Sequence, residues 1–333
     1  MEASRSSQHR NAKDRMLGFG NFFCRSKLAA TLVWISVSVL VYLAFRISLE
    51  SSDPSPALVT SSDSESRMSI LERRKILYDK MAKDLDEHGA AFLKHGETSQ
   101  SLSISDLFEQ KNGSVTPVLK MADPPVRATV LHLNSEHSIP ISEAVREIFL
   151  PYFNGVIWFQ NVSIYHSSMF HASHHITPVT ATNDEIEDEA NTVRGVAEVL
   201  CPLKIVLDRV VLTSTGVLLG CWQVTSGTDP AVIRAKLRDA LPRAPKKQLY
   251  DSVLLHTSFA RLLGRPKILL EKPETPSNQL QLFHELVSRL NNKLQGFEAT
   301  MSELWFVEEY DVLALALNGR MKTRRFPLGC TGN

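Results

Sequence analysis

Two short stretches of the chain hold residue types suited to acid–base chemistry. SMFHASHHITP, residues 168–178, packs three histidines and three hydroxyl side chains into eleven positions. LLHTSFAR spans residues 254–261. Along an extended chain, alternate side chains share a face. In the first stretch that rule groups His171, Ser173, His175 and Thr177, backed by Phe170, Ala172, His174 and Ile176. In the second it groups His256 with Ser258, backed by Leu255 and Thr257. His-x-Ser thus stands at 171–173 and again, 85 residues on, at 256–258. A polar imidazole–hydroxyl ladder on one side of a strand is what a site handling a phosphate or a metal needs. Histidine can serve as base or as acid because its unperturbed pKa is about 6.5.

Blander readings compete. A single buried histidine is more often a hydrogen-bonded core residue than a catalyst, but two on matching strands weaken that explanation. His171, His174 and His175 are also metal-ligand types. His171 and His175 share a face, yet four residues of strand separate them by roughly 13 Å, too far for one ion without a bend. No acidic partner is fixed by the sequence, so neither a metal nor another cofactor is expected. The four cysteines, at 24, 201, 221 and 330, form no C-x-x-C pair, which argues against structural zinc. One disulfide remains open. Cys201 and Cys221 flank a hairpin turning at 214–216, in a register that sets Cys221 opposite Asp208, so a bridge between them needs a bend.

The elements that must position these residues begin near Val126. ATVLHLN reads as a strand, SEAVREIFLPYF as a helix capped by Ser142, and GVIWFQNVSIY as a β-branched and aromatic strand. After the first histidine stretch come a helix with acids in its first turns (183–200) and a hairpin (204–224). A helix opened by Asp229-Pro230 and a strand over 249–263 follow. The last elements are a helix (277–294) and a final strand or pair (301–319). Strands interleaved with helices and hairpins predict an α+β domain, with antiparallel sheets carrying helices on their outer faces. Each histidine motif is followed by a helix, as in a crude duplication.

In these features residues 126–333 resemble the two-histidine (2H) phosphoesterases, which include RNA ligase-type and cyclic nucleotide phosphodiesterases. That family carries two His-x-Thr/Ser-hydrophobic motifs on strands. HTSF matches with His256, Ser258 and Phe259. FHAS matches with His171 and Ser173, although His174 stands where a hydrophobic residue is usual. HITP is an offset match at His175 and Thr177, with Pro178 in that place. Met169-Phe170, mirroring Leu254-Leu255, favours the first register. The resemblance implies duplicated antiparallel sheets and metal-independent hydrolysis of a 2′,3′-cyclic phosphate or a related nucleotide or RNA end. His171 and His256 would be catalytic, and Ser173 and Ser258 would bind the phosphate.

The front of the chain is organised differently. Residues 1–27 form a tail with six basic side chains, and residues 28–45 are 18 positions without a charge, the lower limit for a membrane-spanning helix. The basic excess before the apolar stretch predicts a signal anchor with the N-terminus in the cytosol and the bulk of the chain in a lumen. The short span favours the endoplasmic reticulum or Golgi over the plasma membrane. The sequons at Asn112 and Asn161 would then be open to glycosylation. Residues 46–125 read as a stem with an amphipathic helix at about 68–93. Its stripe of Ile70, Leu77, Met81 and Leu85 is either solvated or a route to self-association. The balance of 37 basic against 36 acidic residues excludes bulk nucleic-acid binding by charge. Two other functions fit parts of this layout. A type II glycosyltransferase has the same anchor and stem, and Asp84-Leu-Asp86 resembles its metal-binding motif, but in the stem helix. A membrane-tethered binding module could keep the fold without catalysis.

Overall fold

The computed structural model describes residues 68–94, 102–111, 113–267 and 276–330. The apolar stretch at 28–45 and the sequon at Asn112 lie outside them. The described residues belong to one compact unit. Among them no helix is long and apolar enough to cross a membrane.

Two antiparallel sheets build the unit. One has the order β11 (Met321–Pro327), β10 (Glu303–Asp311), β3 (Met121–His132), β5 (His166–Ser173). The other has the order β4 (Ile157–Phe159), β8 (His256–Leu262), β7 (Val217–Ser226), β6 (Leu203–Leu212), β9 (Glu298–Met301). A separate hairpin joins β1 (Phe108–Lys111) to β2 (Ser114–Pro117), just after the short helix α2 (Ile104–Leu107). Helices α3 (Ser135–Phe153) and α6 (Pro276–Leu294) cover the outer face of the five-stranded sheet, and α4 (Asn183–Glu198) and α5 (Pro230–Ala240) that of the four-stranded one. Phe149, Phe153, Phe283, Trp222 and Phe259 fill the large core on the first side.

The inner faces are covered by different pieces. Helix α1 (Ile70–His88) lies over β6 and β7, where Tyr78 packs with Val211, Val217, Leu219, Cys221 and Leu254. The segment around α7 (Ala314–Leu317) covers the four-stranded sheet, with Leu315 against Ala128, Val130, Trp305 and Val307. The gap between these two covers is the cleft described below.

Helix α1 is therefore part of the folded unit and not a solvated stem helix. Arg74, Tyr78 and Leu85 are buried, and burying a leucine contributes about 1.5–3 kcal/mol. Arg74 donates to the Val253 carbonyl at 2.7 Å and pairs with Asp229 at 2.7 Å. The stripe expected to be free for self-association is occupied by the domain at Leu77, Met81 and Leu85. The boundary placed at 125 falls inside β3.

Other expectations shift for local reasons. Helix α3 is capped by Asn134, eight residues earlier than expected, and Ser142 is buried within it. The strand expected over 249–263 is regular only from His256, and β11 is an additional edge strand. In the β6–β7 hairpin an irregularity between Leu207 and Arg209 moves Cys221 opposite Arg209. Cys201 is bonded to Cys330, while Cys221 stays free and buried.

Candidate active site

Two slips of register decide what faces the cleft. On β5, Val130 stands opposite Ser168 but Thr129 opposite Phe170, and Ala128 opposite His171 but Arg127 opposite Ser173. Met169 and Ala172 are thus extra residues, and each extra residue swaps the faces of those that follow. His166 and Ser168 point inward, and after the first bulge His171 joins them. After the second bulge Ser173 points to the outer side, where its Oγ accepts from the Val179 amide at 3.0 Å.

Strand β8 repeats the device. Leu219 stands opposite Ser258 but Leu218 opposite Ala260, so Phe259 is the extra residue. His256, Ser258 and Arg261 then share the inner face. The bulge falls three residues after the first histidine in both strands. Gly220 makes room for it, because a Cβ there would lie 2.2 Å from the Phe259 ring.

The two strands share no backbone ladder. Their seam is made by the residues between each His and Ser: Ser167 Oγ lies 3.3 Å from Thr257 Oγ1, which also accepts from Trp222 Nε1 at 3.1 Å. From α5, the buried Arg234 donates to the carbonyls of Ser168 (2.8 Å), Met169 (3.0 Å) and Ser252 (2.8 Å). One guanidinium therefore ties the β5 bulge to the loop entering β8.

His166, Ser168, His256, Ser258 and Arg261 line a cleft of about 380 Å³ with Tyr250 between the strands. Met81 and Asp84 of α1 form one wall, and Leu313 and Ala316 form the other. An adjoining space of about 50 Å³ also touches His166 and Ser168 and is bordered by His171, His174, His175 and Glu309.

The protonation states follow from burial. His166 Nδ1 donates to the Ile164 carbonyl at 2.8 Å, which leaves its Nε2 as a lone pair. Burial holds its pKa below the ordinary value. Burial pushes His256 down to about 3, helped by the charge of Arg234 and by His166. Burial, with His174 next, pushes His171 down to about 3. All three imidazoles are neutral at pH 7. Burial also lowers Arg261 to about 10, and its Nη1 has no hydrogen-bond partner. His256 Nδ1 is likewise unpartnered. An unmatched guanidinium N–H in a cleft with two hydroxyls is suited to a phosphate oxygen.

Of the residues singled out in the sequence, His256 and Ser258 lie in the main cleft, His171 and His175 border the smaller space, and Ser173 lies outside both. Thr177 is exposed and forms a turn with His174, its amide donating to His174 Nδ1 at 3.1 Å. Asn161 uses its Nδ2 to donate to Asn318 Oδ1 at 2.8 Å. Asp84 and Asp86 diverge: Asp84 accepts from the Ser214 amide at 2.6 Å, and Asp86 meets His284 at 2.6 Å. Among the described residues no three His, Cys, Asp or Glu side chains are grouped to hold a metal ion. Sequence reasoning missed His166, Ser168 and Arg261. The signal was present, since HSSM at 166–169 repeats HTSF at 256–259 position for position.

No family model matches the sequence, and no curated protein does. Among solved structures, the Thermus thermophilus protein TT0787 is similar with a TM-score of 0.41 at 12% identity, over 62% of this chain and 100% of its own. A protein described as a phosphoesterase gives 0.34 at 12% identity, over 62% and 98%. LigT of E. coli, complexed with 3′-AMP, gives 0.35 at 12% identity, over 63% and 99%.

Proposed function

We propose that the cleft is the active site of a metal-independent two-histidine phosphoesterase that opens a 2′,3′-cyclic phosphate or a related nucleotide or RNA end. The observation that carries this reading is the matched pair of bulged strands, which bring His166, Ser168, His256, Ser258 and Arg261 to one cleft. His166 and Ser168 take the places first assigned to His171 and Ser173. With its Nδ1 proton held by Ile164, His166 offers Nε2 as the base. Water attacks phosphorus and gives its proton to that nitrogen. The bond from phosphorus to one ribose oxygen breaks, and the oxygen takes its proton from His256, which acts as the acid in the imidazolium form that the bound phosphate's negative charge favours. Ser168, Ser258 and Arg261 donate to the non-bridging oxygens as charge shifts onto them. No step needs a metal.

The domain is anchored by residues 28–45 and faces a lumen in this proposal. The Cys201–Cys330 bond supports that placement, because disulfides persist in oxidising compartments.

The test uses the full-length chain in detergent, a panel of nucleoside 2′,3′-cyclic phosphates and EDTA throughout. His166→Ala and His256→Ala should each lower turnover about 10²–10⁴-fold. His171→Ala should cost less than either. Full activity in His166→Ala, or no turnover of any cyclic phosphate by the unaltered chain, sinks the reading. Tight phosphate binding without turnover would leave the non-catalytic module.

A further inference from the structure

Helix α1 brings a carboxylate into a cleft otherwise built for an anion. Among the described residues lining the cleft, Asp84 is the sole carboxylate. Its position along the cleft can be read from the helix. Tyr78 Oη lies 2.7 Å from the carbonyls of Trp222 and Leu255, the latter next to His256. Six residues further on, a rise of about 9 Å, Asp84 meets the Ser214 amide in the β6–β7 turn. Between the two levels the wall is Met81, Val217, Leu219 and Leu254. The cleft thus runs from an anion-holding end, through an apolar slot faced by Tyr250, to an acceptor. That distance is comparable with the reach from the ribose phosphate of a nucleotide to the far edge of its base.

We propose that α1 is the substrate-selecting wall, with Asp84 accepting from N–H donors on the edge of a planar base whose phosphate sits between the two histidines. The phosphate end of this assignment rests on the phosphoesterase reading. A carboxylate has about four lone-pair sites. The Ser214 amide and the exposed His88 engage it on one oxygen each, which leaves acceptor capacity toward the slot. Guanine, with adjacent N1–H and N2–H₂ donors, complements it best. A second phosphate in that position would be repelled.

Calorimetry on the full-length chain in detergent tests this. The ligands are guanosine 3′-monophosphate and purine riboside 3′-monophosphate, a comparable purine with no N–H donor at the base edge. The unaltered chain should bind the guanosine ligand about tenfold more tightly or better, as expected for hydrogen bonds to a charged group. Asp84→Asn should erase most of that preference, and Asp84→Glu should keep part of it. Because Asp84→Asn also weakens the anchor of the 213–216 turn, Met81→Lys is read beside it. A lysine three residues before Asp84 pairs with the carboxylate and should reduce the preference without removing the Ser214 contact. Equal binding of the two ligands, or a preference that survives both Asp84→Asn and Met81→Lys, overturns the assignment. The two proposals fail separately. Turnover without base preference removes this one alone, and base preference without turnover removes the phosphoesterase reading alone.

Discussion

Three neutral imidazoles around the cleft have a measurable consequence. His256 and His171 are held at about 3 by burial, and His166 is held below its ordinary value. A phosphate placed against them favours their charged forms and lifts those values. Binding of a nucleoside monophosphate at pH 7 should therefore take up protons. Calorimetry in buffers of different ionisation enthalpy should show that uptake, and it should shrink in His256→Ala. No proton uptake in the unaltered chain would mean the phosphate does not contact the imidazoles. At this scale the sequence was half legible. His256 and Ser258 share the cleft face as alternation predicts, because β8 is regular up to Ser258. In the first stretch alternation groups Ser173 with His171, but the bulge at Ala172 turns Ser173 to the outer side, and the likeness of Met169-Phe170 to Leu254-Leu255 draws the eye past the bulge at Met169 that sets His166 and Ser168 on the same face as His171. Arg261 was missed for the same reason, since alternation places it on the face opposite His256. Bulges depend on the partner strand and on packing, which a single strand's sequence does not display.

At the scale of elements, the site depends on two strands held side by side without a ladder. Arg234 supplies much of that connection through the Ser168, Met169 and Ser252 carbonyls. It touches no reacting atom and acts as a positioning residue. Arg234→Gln should lower kcat more than it raises KM, and Arg234→Lys should rescue little, because one ammonium cannot span three carbonyls arranged for a fork. Equal activity in Arg234→Gln would show that the core alone sets the strand spacing. Gly220→Ala should also disturb the β8 bulge, because Phe259 must move. Overpacking of this kind costs about 1–3 kcal/mol, readable as a lowered denaturation midpoint with a matching loss of turnover. Most helices and the β6–β7 hairpin were legible from caps, first-turn acids and periodicity, as Asp229 and the start of α4 illustrate. Helix α1 was seen, but its destination was not. Its stripe looked weak because Arg74 and Tyr78, which bury polar groups against backbone carbonyls, do not count as apolar in a periodicity reading.

For the whole molecule, acid should be a stress. The unfolded chain protonates its histidines below about 6.5, whereas folded His171 and His256 resist until about 3. The unfolded state thus binds more protons in that window, and stability falls as pH drops from 6.5 toward 3. Glu309 acts in the opposite sense. Burial raises it from 4.5 to about 7, so its contribution is present below 4.5 and is lost as pH rises through 7. Two histidines against one glutamate predict a net fall in Tm between pH 6.5 and 5. The fall should be smaller in His256→Ala, and identical slopes for both proteins would contradict the buried-imidazole account. Reduction is a second stress. Opening Cys201–Cys330 should cost about 2–5 kcal/mol, seen as a lower Tm in reductant. An unchanged Tm would mean the bond is absent in the folded protein.

That bond also gives the chain an unusual connectivity. The link spans 129 residues, from Cys201 before β6 to Cys330 beyond β11. Everything between, including β8 with His256, β10 and both strands of the central hairpin, belongs to a closed covalent circle. The first histidine strand, β5, lies on the linear arm that enters it. A single cut anywhere in the circle would leave the protein one molecule until a reductant is added. An engineered protease site between 201 and 330 should therefore give one band without reductant and two with it, while the same site placed between β5 and α4 should separate the two histidine strands at once in denaturant.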